Sequence, residues 1–181
     1  MEERTEIYIT ADWEGENQAV LQLFNWNAND GWGLPLVDSH ELVTSNYGSL
    51  NCNIKTFMKA RLKTTKTFVL IVGDETTSVM DGSCYYCGRY GSATYCARGH
   101  SADFRGYVEY ECDLAAEDGL NTVVFYDSDT VEKSKCPAAL RDKGLHLAMR
   151  RSPGSAPAAP DAAPGAQPDW DYESIKAAIQ S

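Results

Sequence analysis

Runs of β-branched and aromatic residues that alternate with helix-spaced apolar stretches predict an α/β fold. The expected architecture is a five-stranded parallel sheet in the flavodoxin-like order 2-1-3-4-5, flanked by helices. Two observations carry this. Thr67 to Gly73 (TFVLIVG) is an unbroken apolar run, as a central parallel strand covered on both faces requires. The other is size: 181 residues with a hydrophobic fraction of 43% fill one core and leave a tail.

Taken in order, Glu6 to Thr10 (EIYIT) reads as the first strand and Ala11 to Gly15 as a loop. Asn17 to Trp26 reads as a helix, because Val20, Leu21, Leu23 and Phe24 recur at helical spacing. Asn27 to Trp32 is a turn by composition, Gly33 to Val37 a brief second strand, and Asp38 to Gly48 a polar loop. Leu50 to Leu62 forms the second helix, with Ile54, Phe57, Met58 and Leu62 on one side, and Thr67 to Gly73 follows it as the third strand. Ser78 to Phe104, rich in Cys, Tyr and Gly, reads as an insertion. Gly106 to Ala116 is a helix with Gly119 as its stop, and Asn121 to Tyr126 the fourth strand. Cys136-Pro137 breaks the chain before a short helical turn, and Leu145 to Met149 is the fifth strand. The domain is thus expected to span residues 1–150, with the insertion at 78–104. Residues 151–168, Pro/Ala/Gly-rich and poor in large apolar side chains, read as a linker. Residues 169–181 read as a helix that docks on the domain through Trp170, Ile175 and Ile179.

The net charge of −10 argues against nucleic-acid binding, which needs a basic footprint, and against anionic membranes. No apolar run approaches the roughly 20 residues that span a bilayer. The opening MEERTEIYIT lacks the basic and apolar regions of a secretory signal, so the expected location is the cytoplasm. The six cysteines are then thiols or metal ligands rather than disulfides.

On parallel sheets ligands bind beyond the C-terminal strand ends, where Asp12, Asp38 and Asp74 are expected to rim a crevice. The common nucleotide folds fail on motif. GxGxxG and Walker A sequences are absent, ADWEGENQ is not a flavodoxin phosphate loop, and a receiver's acidic pair and Lys-Pro are missing.

Tyr107-Val108-Glu109-Tyr110-Glu111-Cys112, opening the helix after the long third strand, resembles the aromatic-x-x-x-Glu-apolar motif of TIR domains. It is most similar to the TIR-like family that includes the Thoeris anti-phage ThsB proteins, whose usual form is Trp-Val-x-Tyr-Glu-Ile. Ile7 to Thr10, Phe68 to Gly73 with its Thr pair, Cys136-Pro137, and Trp170-Asp171-Tyr172 with Ile175 resemble that family too. The likeness covers roughly residues 5–150 and 169–180. It departs from the usual form at Tyr107 and Cys112, and at Asp12, where many catalytic members carry a basic residue.

The resemblance implies an anti-phage immune enzyme that cleaves NAD+ to nicotinamide and an ADP-ribose-derived, cyclic messenger, which activates an effector. It also implies a phage-derived trigger and assembly with further copies of the chain. Glu111 takes the catalytic position and Tyr107 the aromatic one a turn earlier. Asp38-Ser39-His40-Glu41 sits where the family has its BB loop, with His40 a candidate base. The substrate-binding set is therefore Asp12, Trp13, Asp38, His40 and Tyr107, Trp13 and Trp32 being the candidate contacts for the bases. Breaking the glycosidic bond leaves an oxocarbenium-like ribosyl cation that one carboxylate can stabilise, and cationic nicotinamide leaves without a general acid. The alternative for Glu111 is a solvated helix-surface charge, with Glu109 as a control on another face. The alternative for the chain is a non-catalytic TIR-like assembly module, and a phosphoacceptor domain is a third reading.

Within the insertion, Cys84-x2-Cys87-x8-Cys96-x3-His100 offers four ligands for a tetrahedral Zn2+ site, with Cys112 as a variant fourth ligand. Otherwise these are reduced thiols in a loop packed by Tyr85, Tyr86, Tyr90 and Tyr95.

Overall fold

Side-chain alternation along the strands assigns the two faces of the sheet. The computed structural model describes residues 4–46, 48–92, 94–151 and 169–181. Its strands are β1 (Glu6–Ala11), β2 (Leu36–Asp38), β3 (Thr65–Val72), β4 (Asn121–Tyr126) and β5 (Leu145–Ala148), and its helices α1 (Trp13–Asn29), α2 (Ser39–Ser45), α3 (Asn51–Leu62), α4 (Tyr107–Glu117) and α5 (Tyr172–Gln180). The sheet is parallel throughout, in the order β2-β1-β3-β4-β5.

Because successive strand residues point to opposite faces, Ile7 and Ile9 of β1 join Val69, Ile71, Val123 and Phe125 under α1 and α5. Tyr8 lies on the other face with Phe68, Leu70, Val124 and Tyr126, against α3 and α4. Two apolar layers result, and β3 is buried at every position but Lys66. The amphipathic helix α5 seals the first layer with Ile175, Ala178 and Ile179, preceded by the buried Trp170. Trp170 Nε1–H donates to Asp127 at 3.3 Å, and residue 170 bridges Arg150 at the end of the sheet. The expected linker lies, in residues 152–168, outside the described residues.

Three local expectations are corrected. The first helix begins at Trp13, so Ala11 to Gly15 is not a loop. The Asp12 carboxylate accepts from Glu14 N–H at 3.2 Å and caps the helix. Asp38 to Gly48 is likewise not all loop: Asp38 accepts from His40 N–H at 2.9 Å and nucleates α2. Behind Cys136-Pro137 the chain forms hydrogen-bonded turns and no helix, Leu140 N–H donating to Pro137 C=O at 3.1 Å and Lys143 N–H to Leu140 C=O at 2.9 Å, while a 3-10 turn at Lys133–Lys135 precedes the proline. The insertion contains a 3-10 turn at Cys84–Tyr86 and isolated bridges, Tyr90 with Cys96 and Tyr95 with Ser101. Among the described residues no helix is long and apolar enough to cross a membrane.

Candidate functional site

Strand order reverses beside β1, since β2 lies on one side of it and β3 on the other. A cavity of ≈ 670 Å³ opens at the C-terminal ends of these strands, where ligands of parallel sheets bind. Its lining draws on the start of α1, the start of α2, the first turn and a half of α4, and Val79 to Asp81 of the insertion. The sequence-predicted residues Asp12, Trp13, His40, Tyr107 and Glu111 all line it. Asp38 does not. It sits behind the wall as the buried cap of α2, and burial raises its carboxyl against the opposing influence of the His40 N–H.

Glu111 is wholly buried at the back of this cavity. One carboxylate oxygen accepts from Tyr8 Oη–H and the other from Thr10 Oγ1–H, both at 2.5 Å. Residues 8 and 10 share a strand face, so a single helix position meets both hydroxyls. Ser39 Oγ–H donates to Thr10 Oγ1 at 3.3 Å, extending the chain of hydroxyls to α2. Burial raises the Glu111 carboxyl, the hydrogen bonds from Thr10 and Tyr8 pull it down and the Asp38 charge adds a smaller upward push, and the balance leaves it at about 7. Burial and the Glu111 charge hold the Tyr8 phenol well above its ordinary range. Glu109, two residues away, is exposed.

At the mouth, Trp13 and His40 stack face to face, with ring centroids 4.0 Å apart and planes within 2°. Each is half-buried, and each belongs to the first turn of a helix capped by an aspartate. Tyr107, one turn before Glu111, packs with Ile54 and Met58 of α3, and its hydroxyl donates to Asn51 Oδ1 at 3.2 Å. Its ring lies against Gly82, whose φ of +86° and lack of a Cβ make room for it. The insertion also caps α4, because Asp81 C=O accepts from Tyr107 N–H at 2.6 Å.

Lys55, 4% exposed, fastens the other end of the insertion. Its ammonium donates to Arg105 C=O at 2.7 Å and lies 3.4 Å from the Asp103 carboxylate. Arg105 in turn pairs with Asp103 and Asp113 and lies over the Tyr110 ring.

The four expected zinc ligands do not come together. Among the described residues no group of three or more His, Cys, Asp or Glu side chains is arranged to hold a metal ion. Cys84 is buried and its sulfur accepts from Asp103 N–H at 3.1 Å, while His100 is exposed. Cys112 lies in the core beneath α4. The insertion packs instead through its aromatic rings, with Tyr85 stacked on Phe104 at 4.3 Å and Tyr90 edge-on to the same ring.

Tyr8, Thr10 and Ser39 belong to the site and escape a reading for charged or aromatic ligand groups. Alternation in EIYIT puts Tyr8 and Thr10 on the strand face away from the isoleucines, but neither it nor the loop-like surroundings of Ser39 points to Glu111. The chain matches no protein-family model and no curated protein.

Proposed function

We propose that this protein is a cytoplasmic enzyme that cleaves the nicotinamide–ribose bond of NAD+ and releases nicotinamide and an ADP-ribose-derived, cyclic messenger. The observation that carries this reading is the placement of Glu111. The carboxylate singled out by its resemblance to the TIR-like motif lies against a cavity of ≈ 670 Å³ that also gathers Trp13, His40 and Tyr107. The stacked Trp13–His40 pair offers an aromatic face to a nicotinamide or adenine ring. A carboxyl balanced between its two protonation states near pH 7 can hold ribose hydroxyls and stabilise the cation formed as nicotinamide departs. The resemblance extends the reading to an anti-phage signal acting on a separate effector.

The test is nicotinamide release from NAD+, with and without extract of phage-infected cells as trigger. Release is expected from the wild type and from Glu109→Gln, and is expected to fall at least a hundredfold in Glu111→Gln. Unchanged release from Glu111→Gln overturns the assignment.

One observation favours a second reading, a non-catalytic assembly module. Glu111 has no exposed surface and both oxygens are already hydrogen-bonded, as in a purely structural carboxyl. To touch substrate it must rotate toward the cavity and give up Tyr8 or Thr10. If NAD+ leaves the thermal midpoint unmoved while Glu41→Lys in α2 abolishes self-association, the assembly reading wins.

A further inference from the structure

A second cavity, of ≈ 290 Å³, lies between the start of α1 and the segments that follow β3 and β4. It adjoins the first and shares Gly15 and Glu75 with it. Glu16 is in its lining. As the last residue of the first turn of α1, it donates its N–H to Asp12 C=O at 2.8 Å, and its side chain turns in over the end of β3. The residue is 6% exposed. Oε1 packs so closely on Gly73 that a Cβ there would overlap it, and Oε2 is buried without any hydrogen-bond partner. Buried acceptors are rarely left without a donor, so an orphaned carboxylate oxygen on a side chain that lines a cavity marks where a ligand's donor belongs.

The charge of the cavity selects the donor. Lys135 is committed to Asp74 at 2.8 Å and Glu132 at 2.7 Å, and Arg150 to Asp127 at 2.9 Å. Five carboxylates (Glu16, Asp74, Glu75, Asp127 and Glu132) against these two cations leave an excess of three negative charges when all are ionised. Burial first, then the charges of Asp12, Asp127 and Asp74, push Glu16 up to about 7, the response of a carboxylate that lacks a cation. Among the described residues no three of these acids are gathered as a metal cage. That arrangement suits a cation that brings directional N–H donors rather than a bare divalent ion.

We propose that this cavity is a binding site for a small organic cation, an ammonium or guanidinium group that donates to Glu16 Oε2 between Asp74 and Asp127. The site is distinct from the Glu111 cavity and stands whether or not the protein cleaves NAD+.

Agmatine, which carries both groups, is the probe, and urea is its neutral counterpart. In calorimetric titrations of the full chain at pH 8, agmatine is expected to bind and urea not. Glu16→Gln, which keeps the shape and removes the charge, is expected to weaken agmatine at least tenfold. Amide resonances of Gly73, Asp74 and Asp127 in the wild type are expected to shift on titration, which localises the site even if the variant folds poorly. Equal affinity in Glu16→Gln, shifts confined to Thr10 and Tyr107, or displacement of agmatine by one equivalent of Mg2+ would each overturn the proposal.

Discussion

Replacing Glu111 by glutamine removes a titration from the centre of the molecule and leaves its shape intact. Glutamine Oε1 still accepts from Tyr8, and its amide faces Thr10, whose oxygen has lone pairs to receive it. In the folded wild type the carboxyl is pushed from 4.5 up to about 7. The folded state therefore holds a proton that the unfolded chain gives up between those values. Stability then falls as pH rises through that window, is fully retained below about pH 4.5, and is lowest above 7. At about 1.4 kcal/mol per unit the whole shift corresponds to roughly 3 kcal/mol, most of it expressed between pH 5 and pH 8. For a chain of this length each kcal/mol moves the thermal midpoint by about 2–4 °C. The wild-type midpoint should thus drop by roughly 5–10 °C more than that of Glu111→Gln over this range. Glu16 also titrates near 7 but is present in both proteins, so it cancels in the difference. The assay is a pair of thermal melts at each half unit of pH. Parallel curves, with a constant gap from pH 5 to pH 8, would show that Glu111 does not titrate there and would refute the reasoning.

Three further perturbations test the packing around the site. Gly82→Ala forces a β-carbon into the Tyr107 ring at a positive φ; it should cost about 1–2 kcal/mol for the backbone alone and shift the aromatic resonances of Tyr107. Ile175→Ala empties a fully buried position on α5 and should lower stability by about 2–5 kcal/mol in urea unfolding, whereas a loss below 0.5 would mean that α5 is not docked. Lys55→Met strips Arg105 C=O and Asp103 of their buried donor; it should cost about 1–3 kcal/mol and speed proteolytic cleavage within residues 78–104, and unchanged cleavage would detach Lys55 from that role.

The sheet was legible because its signal is local. β3 declares itself as an unbroken apolar run, and β1 and β4 as short β-branched and aromatic runs between helices. Asp12 and Asp38 show where local reading runs out. An acid just past a strand serves equally as a ligand at the crevice or as the cap of the next helix, and here both act as caps while Asp12 alone also reaches the cavity. Missing that role hid α2 altogether, since SHELVTS carries little apolar periodicity and is nucleated by its cap. Tyr8 and Thr10 were invisible for a different reason. Their importance exists only through Glu111, 103 and 101 residues away, and nothing in EIYIT announces a partner. The same holds for Glu16, which reads as an ordinary acid in a first helical turn until Gly73 is seen beneath it.

Glu111 and Glu16 make a natural comparison because burial is the first cause of both shifts and both carboxyls end near 7. Their surroundings differ in kind. Glu111 has a hydroxyl on each oxygen, so in either protonation state it is satisfied without a ligand. Its rise toward 7 therefore reflects loss of water that two hydrogen bonds only partly offset. Glu16 has like charges for neighbours and an oxygen with no donor, so its ionised form is incomplete in the free protein. A ligand that touches Glu111 must compete with Tyr8 and Thr10, whereas a donor that reaches Glu16 displaces no protein hydrogen bond at Oε2. A bound molecule at the first cavity must therefore displace a protein hydrogen bond, whereas a cation at the second needs only a small rotation that brings the buried Glu16 Oε2 to its donor. Under the proposed function, two adjoining cavities that share Gly15 and Glu75 would thus divide two tasks, turnover in one and recognition of a cation in the other.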